Sequence, residues 1–173
     1  MTKREIRKTG VRAMVHADLE RVLVWRNHPA VRRYMYTQHE ITFSEHQCWF
    51  ELAQKDPRKH LLLFEADKQP LGFVSFSELA CGGIADWGFY ATPDAPKGTG
   101  RQLGLAALDH AFKQLNLHKV CGQALAYNER SIHFHRALGF QQEGVLRDQH
   151  FDGDHHHHII CFGLLSNEWQ SGP

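Results

Sequence analysis

The centre of the chain carries a glycine-rich stretch between a predicted strand and a predicted helix, Lys97-Gly98-Thr99-Gly100-Arg101-Gln102-Leu103. The first turn of a helix leaves several backbone N–H groups unbonded, and the helix dipole adds partial positive charge at the same end. Glycine lets a ligand approach the backbone closely and permits positive φ. The stretch therefore predicts a binding site for a phosphate or pyrophosphate group. It is neither a Walker loop nor a complete dinucleotide-binding fingerprint, because it lacks the Gly-Lys-Ser/Thr of the first and the third glycine of the second.

Side chains that can move a proton stand in three other places. Ser75, Ser77 and Glu78 lie along one predicted strand and at its end, and Asp86 opens the next strand. His135 lies on a short predicted helix further along the chain. Carboxylates and histidine are the residue types that most often serve as general bases and acids. These groups are therefore the candidates for acid–base chemistry.

Length and charge exclude several classes of protein. The chain has 173 residues, which is enough for one domain over residues 1–173. Its 20 basic and 19 acidic residues nearly cancel, so no nucleic-acid partner is predicted. The N-terminal residues lead into no apolar segment, and no apolar run approaches the ~20 residues that a membrane helix needs. We therefore expect a cytoplasmic protein with no membrane partner.

Cysteine and histidine patterns do not predict a metal site. Cys48, Cys81, Cys121 and Cys161 match no zinc spacing, and we expect reduced thiols. The run His155 to His158 lies on a predicted strand, where alternate side chains face opposite sides. A dedicated metal site there would need further ligands from elsewhere in the fold. We expect no bound metal.

The apolar pattern predicts an α+β domain. Continuous apolar runs are typical of strands buried on both faces, and apolar residues at helical spacing are typical of amphipathic helices. Together they predict one central mixed, mostly antiparallel sheet of about seven strands flanked by about four helices. The predicted strands span 11–15, 61–66, 71–76, 84–90, 120–126, 145–151 and 156–164, the helices begin near residues 19, 45, 100 and 131, and a short helix is expected over 30–34.

Three segments resemble the GNAT acetyltransferase family. Trp87-Gly88-Phe89-Tyr90 resembles its fourth strand, and Gly98-x-Gly100 matches the end of its coenzyme A loop, R/Q-x-x-G-x-G/A. Asn128-Glu129-Arg130-Ser131-Ile132 followed by Leu138-Gly139-Phe140 resembles its N…SI…LGF stretch. The resemblance covers nearly the whole chain. One departure is Ala95, which stands where the family's loop opens with arginine or glutamine.

The resemblance implies acetyl-coenzyme A as cosubstrate. Backbone N–H groups from Gly98 to Leu103 would bind its pyrophosphate, and Lys97 or Arg101 would supply the charge that is missing at Ala95. The residues expected at coenzyme A are Tyr90, Lys97, Gly98, Thr99, Gly100, Arg101, Gln102, Leu103, Asn128 and Ser131.

Acetyl transfer to an amine needs a base for the amine, a donor for the oxyanion and an acid for the leaving thiolate. In the family the acid is often a tyrosine four residues before the glycine of Gly-Phe, and this chain has His135 there. We expect His135 to take over the role, because histidine titrates near neutral pH. The family implies a backbone N–H near residues 89–91 as the oxyanion donor.

The base is less well defined than the acid. Ser75 and Glu78 are the expected catalytic residues, and Glu78 or Asp86 could act through a water molecule. A covalent route through Cys121 is not expected, since the sequence shows no base paired with that thiol. Direct transfer from acetyl-coenzyme A to the amine is the preferred route.

The N-terminal third is similar to the branch of the family that acetylates the 4-amine of UDP-linked 4-amino-4,6-dideoxy sugars in pseudaminic acid biosynthesis. The similarity lies in Trp25-Arg26-Asn27-His28-Pro29 and in Glu45-His46-x-x-Trp49. It implies that Arg26 clamps a diphosphate bidentately and that His46 adds a donor to it. Ser77 and Tyr90 are the other residues expected at the UDP-amino sugar.

Two other functions stay open at this point. An acetyltransferase of the ribosomal-protein type shares the N…SI…LGF stretch and would act on a protein N-terminus. A coenzyme A-binding sensor without catalysis is the second alternative, which the departures at Ala95 and His135 keep open. The sequence does not decide the assembly, for which a homodimer is one option.

Overall fold

The structure, a computed structural model, describes residues 8–79 and 82–169. The expectations placed on the first five residues and on Cys81 lie outside the described residues. The seven strands are β1 Thr9–Ala13, β2 Lys59–Ala66, β3 Gln69–Glu78, β4 Ile84–Ala91, β5 Lys119–Leu125, β6 Gln141–Phe151 and β7 His156–Leu165. The α-helices in the same ranges are α1 Leu19–Asn27, α2 Pro29–Arg32, α3 Phe43–Lys55, α4 Thr99–Lys113 and α5 Glu129–Ala137.

All seven strands belong to one sheet, in the order β1-β2-β3-β4-β5-β7-β6. The pair β4–β5 is parallel, and the other five pairs are antiparallel. The α+β fold and the mixed, mostly antiparallel sheet are therefore confirmed. The described residues form five α-helices, which are four longer ones and the four-residue α2 with Pro29 at its start, near the short helix expected over 30–34.

Two hydrophobic clusters lie on the two faces of the sheet. The larger cluster joins strand residues such as Phe64 and Phe76 to α4 and to the end of α5. The smaller cluster joins Leu63 and Phe73 to α1 and α3. Neighbours in β2 thus enter opposite clusters, as the continuous apolar run of that strand predicted. We call the two sides of the sheet the α4–α5 face and the α1–α3 face.

Local signals start the helices that flank the site. Thr42 caps α3, and its side chain and that of Glu45 form a reciprocal capping box. The Asn128 side chain caps α5 by accepting a hydrogen bond from the Ser131 N–H. Within the described part of the chain, no helix is long and apolar enough to cross a membrane.

Candidate active site

β4 and β5 pair over three positions only, the last of which joins Asp86 to Cys121. β4 then continues along β3 to its end, and β5 continues along β7. The two strands therefore separate and open a gap between residues 87–91 and residues 122–125. We call this gap the wedge, and its closed end at Asp86 and Cys121 the apex. The backbone of β4 has no strand partner on the wedge side among the described residues, so an extended ligand can pair with it.

Helix α4 begins beyond the open end of the wedge. Gly98 is the residue before the helix, with a φ of 94°, and no side chain within the described ranges caps the helix start. This left-handed conformation favours glycine. A Cβ built on Gly98 would have no atom within 4 Å, so the turn is open to a ligand. The Thr99 N–H donates to the Pro96 carbonyl, so a bound anion would meet the N–H groups of Gly100 and Arg101.

The residues around this turn divide into two groups. Lys97, Arg101 and Gln102 are exposed and can reach a bound anion. Thr99 and Leu103 are 3% and 1% exposed, and the Thr99 N–H already donates to the Pro96 carbonyl at 3.1 Å. That backbone N–H groups of this turn hold the pyrophosphate stays a prediction. This chemistry suits coenzyme A, whose pyrophosphate would bind at the helix start and whose linear pantetheine arm carries amides that can pair with the unpartnered edge of β4.

His135 lies in the core, with 1% of the residue exposed. Its Nδ1–H donates to the Ser131 carbonyl at 2.8 Å, and its Nε2 accepts a hydrogen bond from the Trp87 indole at 3.1 Å. The ring stacks on Phe162, with 4.7 Å between the centroids. Burial lowers the pKa of His135, so the ring is neutral.

The expectation that His135 is the catalytic acid is therefore corrected. A general acid needs a proton that faces the leaving group and a pKa near the working pH. Both ring nitrogens of His135 are engaged inside the core, and the lowered pKa disfavours the charged form. His135 instead joins α5 to β4 through Trp87.

The lowered pKa of His135 predicts how stability depends on pH. The unfolded chain binds a proton at this histidine as pH falls through about 6.5, whereas the folded chain does so only at lower pH. The stabilisation is present above the unfolded pKa and is lost as pH falls towards the folded pKa. In urea unfolding at pH 7.5 and 5.5, His135→Gln should lose less stability than the wild type, by up to about 1.4 kcal/mol over the whole interval. Equal losses in the two proteins would contradict the assignment.

Asn128 and Ser131 were expected to contact coenzyme A, and both make hydrogen bonds within α5 and its cap. The Asn128 Oδ1 accepts a hydrogen bond from the Ser131 N–H at 3.1 Å, and the Ser131 carbonyl holds His135. The two residues thus fix the start of α5. Their contact with coenzyme A stays a prediction.

Alternation along β4 assigns its side chains to the two faces. Ala85 and Trp87 belong to the cluster on the α4–α5 face. Asp86, Gly88 and Tyr90 therefore lie on the α1–α3 face, and Tyr90 packs against the smaller cluster there. The α1–α3 face of β4 thus carries a carboxylate at the apex, a gap at a glycine and a phenol.

Ser75 and Ser77 lie on the same face, beside the apex. They pair across the sheet with Gly88 and Asp86 respectively. The Ser75 Oγ lies 3.3 Å from the position that a Cβ on Gly88 would take. The Ser77 Oγ accepts a hydrogen bond from the Lys59 Nζ at 3.0 Å. The structure therefore brings these two predicted residues together at the wedge.

The expectation that Glu78 is the catalytic base is also corrected. Glu78 follows Ser77, so its side chain lies on the opposite face with Phe76. There it pairs with His60 at 2.6 Å, and His60 in turn lies near His110 of α4. The sheet separates Glu78 from the α1–α3 face, which excludes it as the base for an acceptor bound there.

Arg26 of α1 and His46 of α3 both carry a buried polar atom with no partner. The Arg26 Nη2 donates to the Thr37 carbonyl at 2.9 Å, but its Nη1 is buried and unpaired. His46 is 4% exposed and bonds the backbone of Leu19, while its Nε2 is buried and unpaired. Burial and the positive charge of Arg26 lower the pKa of His46, which makes the ring neutral. Only three side-chain nitrogen or oxygen atoms in the described ranges are buried without a hydrogen-bond partner, and the third is the His150 Nε2.

These unpaired atoms indicate a ligand. Buried polar groups are normally hydrogen-bonded, and one left unpaired costs about 1–3 kcal/mol. A guanidinium beside an imidazole suits an anionic oxygen. The expected donor role of His46 is refined here, since the neutral ring that donates to a carbonyl presents an acceptor at Nε2. A phosphate oxygen nearby would favour the protonated ring, which then donates.

Aromatic rings form a continuous wall from α3 to β4. The ring centroids are 5.1 Å apart between His46 and Trp49, 5.9 Å between Trp49 and Phe73, and 5.2 Å between Phe73 and Tyr90. Trp49 is 39% exposed, so part of its face is available to a ligand. Burial raises the pKa of Tyr90, which keeps its hydroxyl protonated. The wall suits a flat or apolar part of an acceptor.

Sequence reasoning missed the opposite wall of the site. Tyr36, between α2 and α3, donates from its hydroxyl to the Gln123 Oε1 at 2.7 Å, and its ring lies 5.5 Å from that of His150. Gln123 follows the apex residue Cys121 by two positions on β5, so both face the α1–α3 side. Alternation could have placed Gln123 there. No periodic pattern marks the segment that holds Tyr36.

Comparison with known proteins agrees with this geometry. A profile of the family described as "Acetyltransferase (GNAT) domain" matches residues 9–141. "Acetyltransferase PseH" of Campylobacter jejuni subsp. jejuni serotype O:23/36 (strain 81-176) is 26% identical over 144 residues, which cover 83% of this chain and 85% of that protein. The spermidine N(1)-acetyltransferase of Escherichia coli (strain K12) is 25% identical, with 92% of this chain and 87% of that protein covered.

A solved structure extends the comparison to the fold. The crystal structure of spermidine N-acetyltransferase from Vibrio cholerae in complex with CoA and spermine superposes with a TM-score of 0.86 at 23% sequence identity. The match covers 92% of this chain and 96% of that chain. At this identity the likeness establishes the shared fold and leaves the acceptor undetermined.

Proposed function

The chain belongs to the GNAT family of acetyltransferases, and from this premise we propose that it acetylates the 4-amino group of a UDP-linked 4-amino-4,6-dideoxy sugar. Acetyl-coenzyme A is the donor, with its pyrophosphate at Gly98 and its pantetheine arm in the wedge. The acceptor lies on the α1–α3 face, with its diphosphate at Arg26 and His46. Acetylation of such a sugar is the step that the resemblance described above implies, in the biosynthesis of pseudaminic acid.

The single observation that carries the proposal is the pair of unpaired atoms, Arg26 Nη1 and His46 Nε2. The anionic oxygens of a diphosphate would satisfy both, by accepting from the fork-shaped guanidinium and from a His46 ring that their charge keeps protonated. The aromatic wall from Trp49 to Tyr90 lies beside this pair and offers ring faces to a uracil or a sugar. The PseH relatives at 26% and 28% identity point to the same branch of the family.

A polyamine is the competing acceptor, because spermidine acetyltransferases are about equally similar to this chain. Spermidine carries only positive charge and needs carboxylates along its length. Burial is the main cause of the lowered pKa of both Arg26 and His46, and smaller effects come from Arg32 on Arg26 and from Arg26 on His46. Arg32 is itself paired with Glu40 at 3.6 Å, so the guanidinium of Arg26 is the main positive charge here. The electrostatics of this part of the site therefore favour an anionic acceptor.

The reaction is a direct transfer in a complex of both substrates. A pyrophosphate at Gly98 lies beyond the C-terminal end of β4, so the attached arm runs back along β4 and brings the thioester towards the apex. Backbone N–H groups on the wedge side of β4 can donate to the carbonyl oxygen as negative charge develops. The amine enters from the α1–α3 face, beside Ser75 and Gly88.

A substrate panel tests the proposal. Purified protein and acetyl-coenzyme A are incubated with the UDP-linked 4-amino sugar, the same sugar without UDP, spermidine, or a peptide with a free N-terminus. We expect thiol release and an acetylated product with the UDP-sugar, at a kcat/KM at least ~100-fold above the other three. A higher kcat/KM for spermidine or the peptide, or equal turnover of the sugar without UDP, would refute the sugar acceptor.

A further inference from the structure

Residues 33–41 join α2 to α3, and we call them the crossing segment. None of these residues is buried, so hydrogen bonds rather than apolar packing hold the segment in place. The Asn27 side chain of α1 bonds both the N–H and the carbonyl of Ile41, at 2.9 and 2.8 Å. The Arg26 Nη2 donates to the Thr37 carbonyl at 2.9 Å. The second half of the segment is therefore attached to α1.

The first half of the crossing segment is attached to the sheet. The Tyr36 hydroxyl donates to the Gln123 Oε1 at 2.7 Å, and the Tyr127 hydroxyl, just after β5, donates to the Arg33 carbonyl at 3.3 Å. Gln123 belongs to β5 and faces the α1–α3 side, two residues beyond the apex. The segment therefore runs from α1 to β5 and passes over the wedge on the face from which the acceptor enters.

Tyr36 lies beside the apex. Burial, with smaller effects from Cys161 and Asp86, raises the pKa of Tyr36 to about 12, so the hydroxyl stays protonated and donates. The effect of Asp86 shows that the hydroxyl is close to the apex. Because the residue is 52% exposed, the hydrogen bond to Gln123 rather than packing fixes the position of the ring. This bond thus encloses the apex on its β5 side.

The guanidinium of Arg26 connects this bond to the anion site. Its Nη2 holds the crossing segment at Thr37, while its Nη1 is buried and unpaired. Burial lowers the pKa of Arg26, so the charged group is incompletely solvated where it lies. A phosphate oxygen at Nη1 would stabilise the guanidinium in this position, and in this position it holds the segment. A segment that is held in place favours phosphate binding by the same factor.

We propose that Tyr36 and Gln123 set the specificity for a nucleotide-linked acceptor, because the diphosphate stabilises their contact through Arg26 and the crossing segment. The inference rests on the proposed function, which places the diphosphate of the acceptor at Arg26. Tyr36 and Gln123 are positioning residues that exclude water from the apex and hold the amine against the thioester. Binding energy from the nucleotide then raises kcat as well as lowering KM.

The test supplies the acceptor in two pieces, the 4-amino sugar without UDP and free UDP. At saturating acetyl-coenzyme A, UDP should raise turnover of the sugar by roughly 5-fold in the wild type, because it binds Arg26 and stabilises the segment. Tyr36→Phe removes only the hydroxyl, and UDP should activate it by less than about 1.5-fold. With the intact UDP-linked sugar, kcat of this variant should fall by roughly 5- to 10-fold, while KM for acetyl-coenzyme A changes by less than about 2-fold.

Two further variants separate the contact from a general effect on the segment. Tyr34 lies in the same segment and packs on Tyr127, with 6.3 Å between the ring centroids, and its hydroxyl has no hydrogen bond within residues 8–79 and 82–169. Tyr34→Phe is therefore the matched control and should keep the activation by UDP. Gln123→Ala should reproduce Tyr36→Phe, and the double variant should lose no more than either alone, since both changes remove the same bond.

A second measurement does not need turnover. In the wild type with coenzyme A, UDP should slow amide hydrogen exchange of residues 33–41 by roughly 5-fold, and in Tyr36→Phe it should not. Slower exchange without turnover of the UDP-linked sugar would refute the proposed acceptor and support the contact. Turnover of that sugar with neither activation nor slower exchange would overturn the inference and leave the proposed function standing. Inhibition by UDP, or equal activation of the wild type and Tyr36→Phe, would also overturn it.

Discussion

Replacing Arg26 by alanine is expected to raise KM for the UDP-linked amino sugar by roughly 10- to 100-fold. The unpaired Nη1 of Arg26 is buried, so a phosphate there gains a charge-assisted hydrogen bond of about 1.5–3 kcal/mol. The Nη2 is already used by the Thr37 carbonyl, which fixes the guanidinium in place. Steady-state kinetics with each substrate varied in turn measure the change, and KM for acetyl-coenzyme A should change by less than about 2-fold.

Two further variants separate charge from geometry. Arg26→Lys keeps the charge but loses the fork, so it should recover only part of the affinity. Arg58→Ala removes an exposed arginine that pairs with Asp56 in the turn before β2, and it should behave as the wild type. An unchanged KM for the sugar in Arg26→Ala would place the diphosphate elsewhere. A lowered KM for spermidine in the same variant would agree with a site whose positive charge at Arg26 disfavours a polyamine.

Gly122→Ala is expected to destabilise the fold by about 2–3 kcal/mol. A Cβ on Gly122 would lie 2.4 Å from the His135 Nε2 and 2.8 Å from the Trp87 Nε1. These two atoms form the hydrogen bond that joins α5 to β4, and both rings are packed on every side. The methyl group must push the imidazole or the indole aside, because neither is the end of a flexible chain. Denaturant unfolding measures the loss.

Gly144→Ala is the matched control for this prediction. Gly144 also lies on a strand, and a Cβ built there meets no atom within 4 Å. Its stability should stay within about 0.5 kcal/mol of the wild type. If Gly122→Ala is as stable as Gly144→Ala, the contact between His135 and Trp87 does not define the packing of α5.

Much of the fold was predictable because its signals are local. The run from Leu61 to Ala66 predicted a strand buried on both faces, and Leu62, Leu63 and Phe64 are all buried. Thr42 with Glu45 predicted the start of α3, and the glycine-rich turn predicted the uncapped start of α4. Each of these signals depends on residues that are neighbours in the chain.

The errors concern the direction in which a side chain points. Glu78 was grouped with Ser75 and Ser77 by position along the strand, although alternation places it on the other face. His135 was assigned by its count from Gly139, but a count along a helix does not show what surrounds the ring. Trp87, which engages the His135 Nε2, is 48 residues away in the sequence. Such long-range contacts leave no local pattern.

The wedge could not be derived from sequence for the same reason. It depends on β4 and β5 pairing over three positions and then separating, which is a property of two strands 28 residues or more apart. The unpaired Nη1 of Arg26 likewise depends on how far the segment around Thr37 covers it. The resemblance supplied Arg26 and His46 as candidates. The structure adds that one nitrogen of each, Arg26 Nη1 and His46 Nε2, is buried and unpaired.

A crystal structure with coenzyme A and the UDP-linked 4-amino sugar tests the central claim most directly. We expect phosphate oxygens of the sugar nucleotide within ~3 Å of the Arg26 Nη1 and the His46 Nε2. The pantetheine arm should lie in the wedge, with the sulfur towards Asp86 and Ser75. A diphosphate bound away from Arg26, or an acceptor whose amine lies on the α4–α5 face, would contradict the account.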